Sequence, residues 1–101
     1  MKYERTPQFV KDWRRLTPAE QEAFQSVVFE SFVPACDRRA KDPSEAWPKA
    51  LRVKQMKSDP NIMEMTWELA DGRATFEWIV VENEPRIRWR RIGGHAVLGH
   101  P

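Results

Sequence analysis

The ten residues Arg86–His95 read RIRWRRIGGH, and they gather the groups best suited to chemistry in this chain. A histidine exchanges protons near neutral pH, and arginines neutralise a phosphate through paired N–H donors. Set beside one another, they suit acid–base chemistry on a phosphate ester. The same residues equally suit a solvated surface with no further role. Arg73 follows an Asp71-Gly72 pair, and Lys54 and Lys57 flank Met56. Each has a bland reading as well. The arginine would pair with a nearby glutamate, and the lysines would protect an exposed strand edge from aggregation.

Local elements must hold these groups in place. Arg86, Arg88 and Arg90 alternate with Ile87 and Trp89. That period of two predicts a half-buried strand with a cationic outer face. The Gly93-Gly94 break then frees the backbone and carries His95 to the strand's end.

The remaining composition narrows the classes. The chain has 101 residues, 41% of them hydrophobic, with five tryptophans. This predicts a single folded domain spanning residues 1–101 rather than a disordered chain. Charged residues make up 32%, yet the formal net charge is only +2. The position of the charges therefore matters more than their sum. Cys36 is the only cysteine, which excludes an intrachain disulfide and a Cys-rich zinc site. No Gly-rich phosphate loop, metal-ligand cluster or Ser/His/Asp order is visible, so no metal or cofactor is expected. Neither a signal-peptide core nor a bilayer-length apolar run occurs. The expectation is a cytoplasmic protein without membrane contact.

In chain order, Lys2–Thr6 reads as a short strand with Tyr3 inward, ended by Pro7. Gln8–Leu16 reads as a helix with Phe9, Trp13 and Leu16 on one face. Thr17-Pro18-Ala19-Glu20 is a capping box with proline at the first helical position. The helix it opens carries Phe24, Val27, Val28 and Phe32, and Pro34 predicts an end or kink near Val33. A further turn over Ala35–Ala40 and a loop over Lys41–Ala50, anchored by Trp47, follow.

From Leu51 the period becomes two. Leu51 and Val53 alternate with Arg52 and Lys54, and Met63, Met65, Trp67 and Leu69 with Glu64, Thr66 and Glu68. A tight hairpin at Ala70-Asp71-Gly72 leads to Ala74, Phe76, Trp78 and Val80, and a turn at Glu82–Pro85 leads to the last strand. The order β-α-α-β-β-β-β predicts an α+β domain. Its two helices cover one face of a twisted, mainly antiparallel sheet. Strand parity gives the tryptophans and methionines to the core. It sets the arginines on a shared open face with Glu64, Glu68 and Glu77. Whether that face is a nucleic-acid surface or a field of cross-strand ion pairs is left open by the residues.

The element order and the strings LRVKQMKSDPNIMEMTW, DGRATFEW and IRWRRIGGHAVL together resemble the RelE/ParE toxin superfamily. In those bacterial toxins the second strand ends in a basic region, a hairpin leads into an Arg-x-x-Phe segment, and the last strand ends in an Arg-rich turn to histidine. The likeness spans nearly the whole chain, and Arg90–His95 is its most specific part. It implies a ribosome-dependent mRNA endonuclease that helps the RNA's own 2′-hydroxyl attack the adjacent phosphate. On that likeness His95 would be general base or acid, and Arg73 would stabilise transition-state charge. Lys54 and Lys57 would hold the scissile phosphate, while Arg88, Arg90 and Arg91 would add positive field. The implied partners are an antitoxin, the ribosome and mRNA. A ParE-like inhibitor of DNA gyrase, or an inactive binding relative, is the alternative. Two departures stand out. Many relatives follow the histidine with aspartate, where this chain has Ala96, and many end in a tyrosine, where this chain has only Tyr3.

Overall fold

The computed structural model describes residues 1–101. Strand β1 (Lys2–Arg5) leads into helix α1 (Pro7–Arg15). Thr6 caps that helix, its hydroxyl accepting from the Phe9 amide. The same hydroxyl donates to the Arg90 carbonyl at 2.8 Å, which ties the helix start to the last strand. Helix α2 (Pro18–Val27) opens on the capping box. Glu20 N–H donates to the Thr17 hydroxyl at 3.2 Å, and Thr17 N–H donates to the Glu20 carboxylate at 2.8 Å.

Pro34 does not end the helical arm. A π-helical turn, Val28–Phe32, intervenes, and α3 (Val33–Lys41) continues from it with Pro34 in its first turn. In the π turn the Val33 amide reaches five residues back, to the Val28 carbonyl. The wider turn re-phases the ladder so that a proline without an N–H starts a new segment rather than interrupting an old one. The expected short turn over Ala35–Ala40 is thus a full helix.

The sheet has five strands in the order β1-β5-β4-β3-β2. Here β2 is Lys54–Gln55, β3 is Ile62–Thr66, β4 is Arg73–Val81 and β5 is Glu84–Gly93. Only the β1–β5 pair is parallel. The architecture is the expected α+β sheet covered by two helical arms. Three local readings change. Leu51 lies in a 3₁₀ turn (Lys49–Leu51), and Arg52 takes a left-handed conformation with φ 48°, so β2 shrinks to two residues. β3 ends at Thr66, and Leu69 is exposed. The β3–β4 connection is accordingly a longer loop through Trp67–Gly72, not a tight turn. Finally, Tyr3 is part-exposed at the sheet's edge instead of buried.

The β4–β5 hairpin turns at Glu82 and Asn83, both left-handed, as a two-residue hairpin requires. Its register breaks between Thr75 and Phe76. Thr75 faces Arg91 and Phe76 faces Trp89, which leaves Arg90 as the extra residue of a β-bulge. The bulge turns Ile92 into the core, against the simple parity of the sequence. Trp89 is the centre of that core, within 4.8–6.0 Å (ring centroids) of Phe9, Phe24, Phe32 and Phe76. Trp47 stacks on Phe32 at 5.5 Å with the Arg39 guanidinium on its ring, and so anchors the 42–48 loop.

Candidate functional site

The arginines of the outer face are ion-paired. Arg88 Nε donates to a Glu4 carboxylate oxygen at 2.6 Å, and Arg90 donates to Glu77. Arg86 approaches Glu4, and Arg88 approaches Glu77, each at 3.9 Å. Glu4, Arg88 and Glu77 sit directly across from one another on β1, β5 and β4, so backbone register itself sets this row. Glu4, as hydrogen-bond acceptor, holds the Arg88 guanidinium still more firmly charged. Of the two readings left open by the residues, paired charges are what the face carries.

Arg91 turns the other way, towards α1. Its Nε and Nη2 grip both oxygens of Asp12, at 2.7 and 3.3 Å, and its Nη1 donates to the His100 carbonyl at 2.9 Å. Arg90 Nε donates to the Pro101 carbonyl at 3.2 Å. Arg90 and Arg91 therefore strap the residues beyond His95 back onto the sheet.

Arg73 is only 9% exposed. Its Nη1 donates to the carbonyls of Glu68 and Gly72, both at 2.9 Å, while its own carbonyl accepts from the Trp67 indole at 3.0 Å. The guanidinium thus holds the β3–β4 loop in shape. Lys54 pairs with Glu64 across β2 and β3 at 3.2 Å. Lys57 is exposed in the bend that follows. With three strand spacings between β2 and β5, Lys54 lies ~14 Å across the sheet from the strand beyond which His95 stands. The predicted residues consequently fall into separate groups: the lysines at one edge, Arg88 and Arg90 in the central ion pairs, Arg91 against α1, and Arg73 in the loop beside His95, beyond the end of β5.

His95 meets a partner that strand parity does not place beside it. A 3₁₀ segment, His95–Gly99, starts at the histidine. There Asp71 accepts twice through one oxygen, from the His95 amide at 2.9 Å and in a 2.7 Å contact with ring Nδ1. These bonds, the amide's foremost, hold the Asp71 carboxyl below the usual carboxylate range, with Arg73 contributing through space. Asp71 is therefore ionised at neutral pH. Both side chains are open to solvent, 55% exposed for His95 and 65% for Asp71.

Other groups are unsuited to chemistry. Burial pushes the Cys36 thiol up to about 12, so it carries no useful thiolate. No cluster of three or more His, Cys, Asp or Glu is placed to hold a metal ion, and no helix is long and apolar enough to cross a membrane.

Two helical arms on one face of a five-stranded sheet with a single parallel pair define a known class: the chain has the fold of the RelE/ParE toxins. The YoeB/ParE toxin from Agrobacterium tumefaciens superposes with a TM-score of 0.62 at 15% identity, covering 94% of this chain and 99% of that one. The isolated E. coli RelE toxin gives 0.54 at 11% identity, covering 92% and 82%. A chain of the intact E. coli RelBE toxin–antitoxin complex gives 0.53 at 12%, covering 92% and 94%. At such identities the likeness is one of fold. No protein-family model matches the sequence, and no curated protein matches it significantly.

Proposed function

We propose that this protein is the toxin of a type II toxin–antitoxin pair and acts as a ribosome-dependent mRNA endonuclease. The observation that carries this reading is an exposed imidazole beyond the last strand of a RelE/ParE fold, with a carboxylate on its Nδ1. RNA brings its own nucleophile, so a protein need only orient it, move a proton and neutralise charge. In the proposed step the imidazole takes the proton of the 2′-hydroxyl as the 2′-oxygen bonds to phosphorus. The bond from phosphorus to the 5′-oxygen breaks, and the departing oxygen takes a proton from solvent. The imidazolium then returns its own proton to solvent. The products are a 2′,3′-cyclic phosphate and a 5′-hydroxyl. Lys54 and Lys57 would contact the RNA backbone, and Arg73 would keep the loop beside His95 in place. The toxin–antitoxin complex among the structural relatives supports an antitoxin as partner.

A second reading has its own support. Arg86, Arg88, Arg90 and Arg91 are all engaged by carboxylates. That leaves no arginine of β5 free for a phosphate chain, and suits a ParE-like protein that inhibits DNA gyrase by binding it. The two readings separate on induced expression. The nuclease reading expects growth arrest, with new mRNA 5′ ends at in-frame codon positions that disappear in His95→Ala. Gyrase-linked DNA breaks with intact mRNA would establish the second reading in its place.

A further inference from the structure

We propose that Asp71, carried on the β3–β4 loop, is the positioning residue of His95: it fixes the imidazole with its proton on Nδ1 and leaves Nε2 to exchange protons with an RNA phosphodiester. The inference deepens the proposed function and rests on it for the substrate. An ionised carboxylate can only accept, so the 2.7 Å contact obliges Nδ1 to donate. The neutral ring then bears its basic lone pair on Nε2. The second bond, from the His95 amide to the same oxygen, fixes the backbone that carries the ring.

The surrounding chain is shaped to seat this carboxylate. A Cβ on Gly94 would stand 2.1 Å from Asp71 Oδ2 and 2.8 Å from its Cγ, so a larger residue there would push the carboxylate from its place. A Cβ on Gly72 would stand 2.5 Å from Glu68 Cβ and 2.8 Å from the Trp67 ring, so the loop closes tightly just after Asp71. Arg73 clamps the same loop through the Glu68 and Gly72 carbonyls. Gly94 thus makes room for the carboxylate, while Gly72 and the buried Arg73 hold the loop that carries it, around a pair that is itself mostly in water. An exposed pair stabilises a fold very little. Such a framework around so weak a contact points to the orientation of the ring as its purpose. Asp71 reaches the ring from a loop 24 residues away in sequence.

The test reads the ring directly. The chain has two histidines, so the side-chain ¹⁵N signals of His95 are assigned by comparison with His100→Ala. At pH 8, where imidazole is mainly neutral, the wild-type protein should show the pattern of a proton on Nδ1. Asp71→Ala should shift His95 to the Nε2-protonated pattern that is commoner in a free histidine side chain. Gly94→Ala should do the same by displacing the carboxylate, with circular dichroism unchanged in both. A wild-type ring protonated on Nε2, or a pattern unmoved in folded Asp71→Ala, overturns the proposal whatever the activity. On programmed ribosomes, Asp71→Ala should lower kcat for mRNA cleavage at least ~10-fold with KM little changed. If the wild-type protein cuts no mRNA while the ring signals behave as expected, the nuclease reading fails and the positioning role stands.

Discussion

Asp12 is 4% exposed and still a carboxylate. Burial alone would raise its pKa. Hydrogen bonds from Arg91, Gln8 and the Ile92 amide outweigh that and hold it below the usual carboxylate range. A carboxyl lowered in the folded state adds stability above its unfolded pKa of ~3.9 and loses it as pH falls through the lowered folded value. Asp12→Asn should therefore cost about 1.5–3 kcal/mol at pH 7, since it takes the charged acceptor from Arg91. The gap to wild type should narrow as pH falls below ~4. Urea unfolding of both proteins at pH 7 and pH 3 measures this. Equal gaps at the two pH values would show that Asp12 is not the group lost in acid. Arg91 illustrates the same point from the other side. By composition it is one more cation on a basic strand, and in the fold it is the bolt between α1 and β5.

At the level of elements, two threonines begin two helices with unequal tasks. Thr17 caps α2 at an exposed site, whereas Thr6 caps α1 and also donates to the Arg90 carbonyl. Thr17→Ala should cost about 1 kcal/mol, and Thr6→Ala should cost more because it also frees a carbonyl at the bulge. Denaturation midpoints order the two, and an equal loss would mean the Arg90 bond contributes nothing. Signals of this local kind were legible in the chain itself: the capping box, the alternation of β4, and the core tryptophans all follow from neighbouring residues. The His95–Asp71 pairing was not, and the reason is physical. Counting back from the Glu82-Asn83 turn, an unbroken ladder sets Asp71 against Gly94. The extra residue Arg90 moves the register by one and brings His95 there instead. A bulge arises from packing on both faces of the sheet, and nothing in the run RIRWRRIGG marks which residue is the extra one. Arg73 escaped for a related reason. Its place on β4 was correct, but the loop carbonyls that hold its side chain come from a connection expected to be shorter.

For the molecule as a whole, acidic partners decide how basic the surface is. Glu4 and Glu77 together engage Arg86, Arg88 and Arg90. The double variant Glu4→Gln, Glu77→Gln removes two negative charges and releases these guanidinium groups. It should bind single-stranded RNA more tightly. The log–log salt slope should be steeper by about 1–2, as each added phosphate contact releases ~0.7 counterion from a single strand. Fluorescence anisotropy across a salt series gives the slope, and an unchanged slope would mean the arginines face no RNA even when freed. The joining of β1 to β5 sets a limit of a different kind, on when the protein can exist at all. Lys2–Arg5 lie parallel to Arg86–Trp89, so the first strand to be made waits for the last. At ribosomal speeds of about 5–20 residues per second, that wait is on the order of 4–17 s. During synthesis β1 has no neighbour, Asp12 has no Arg91, and Asp71 has no His95. The complete sheet, the bolt and the histidine pair all depend on β5 and the histidine beyond it, and a chain halted before β5 has none of them.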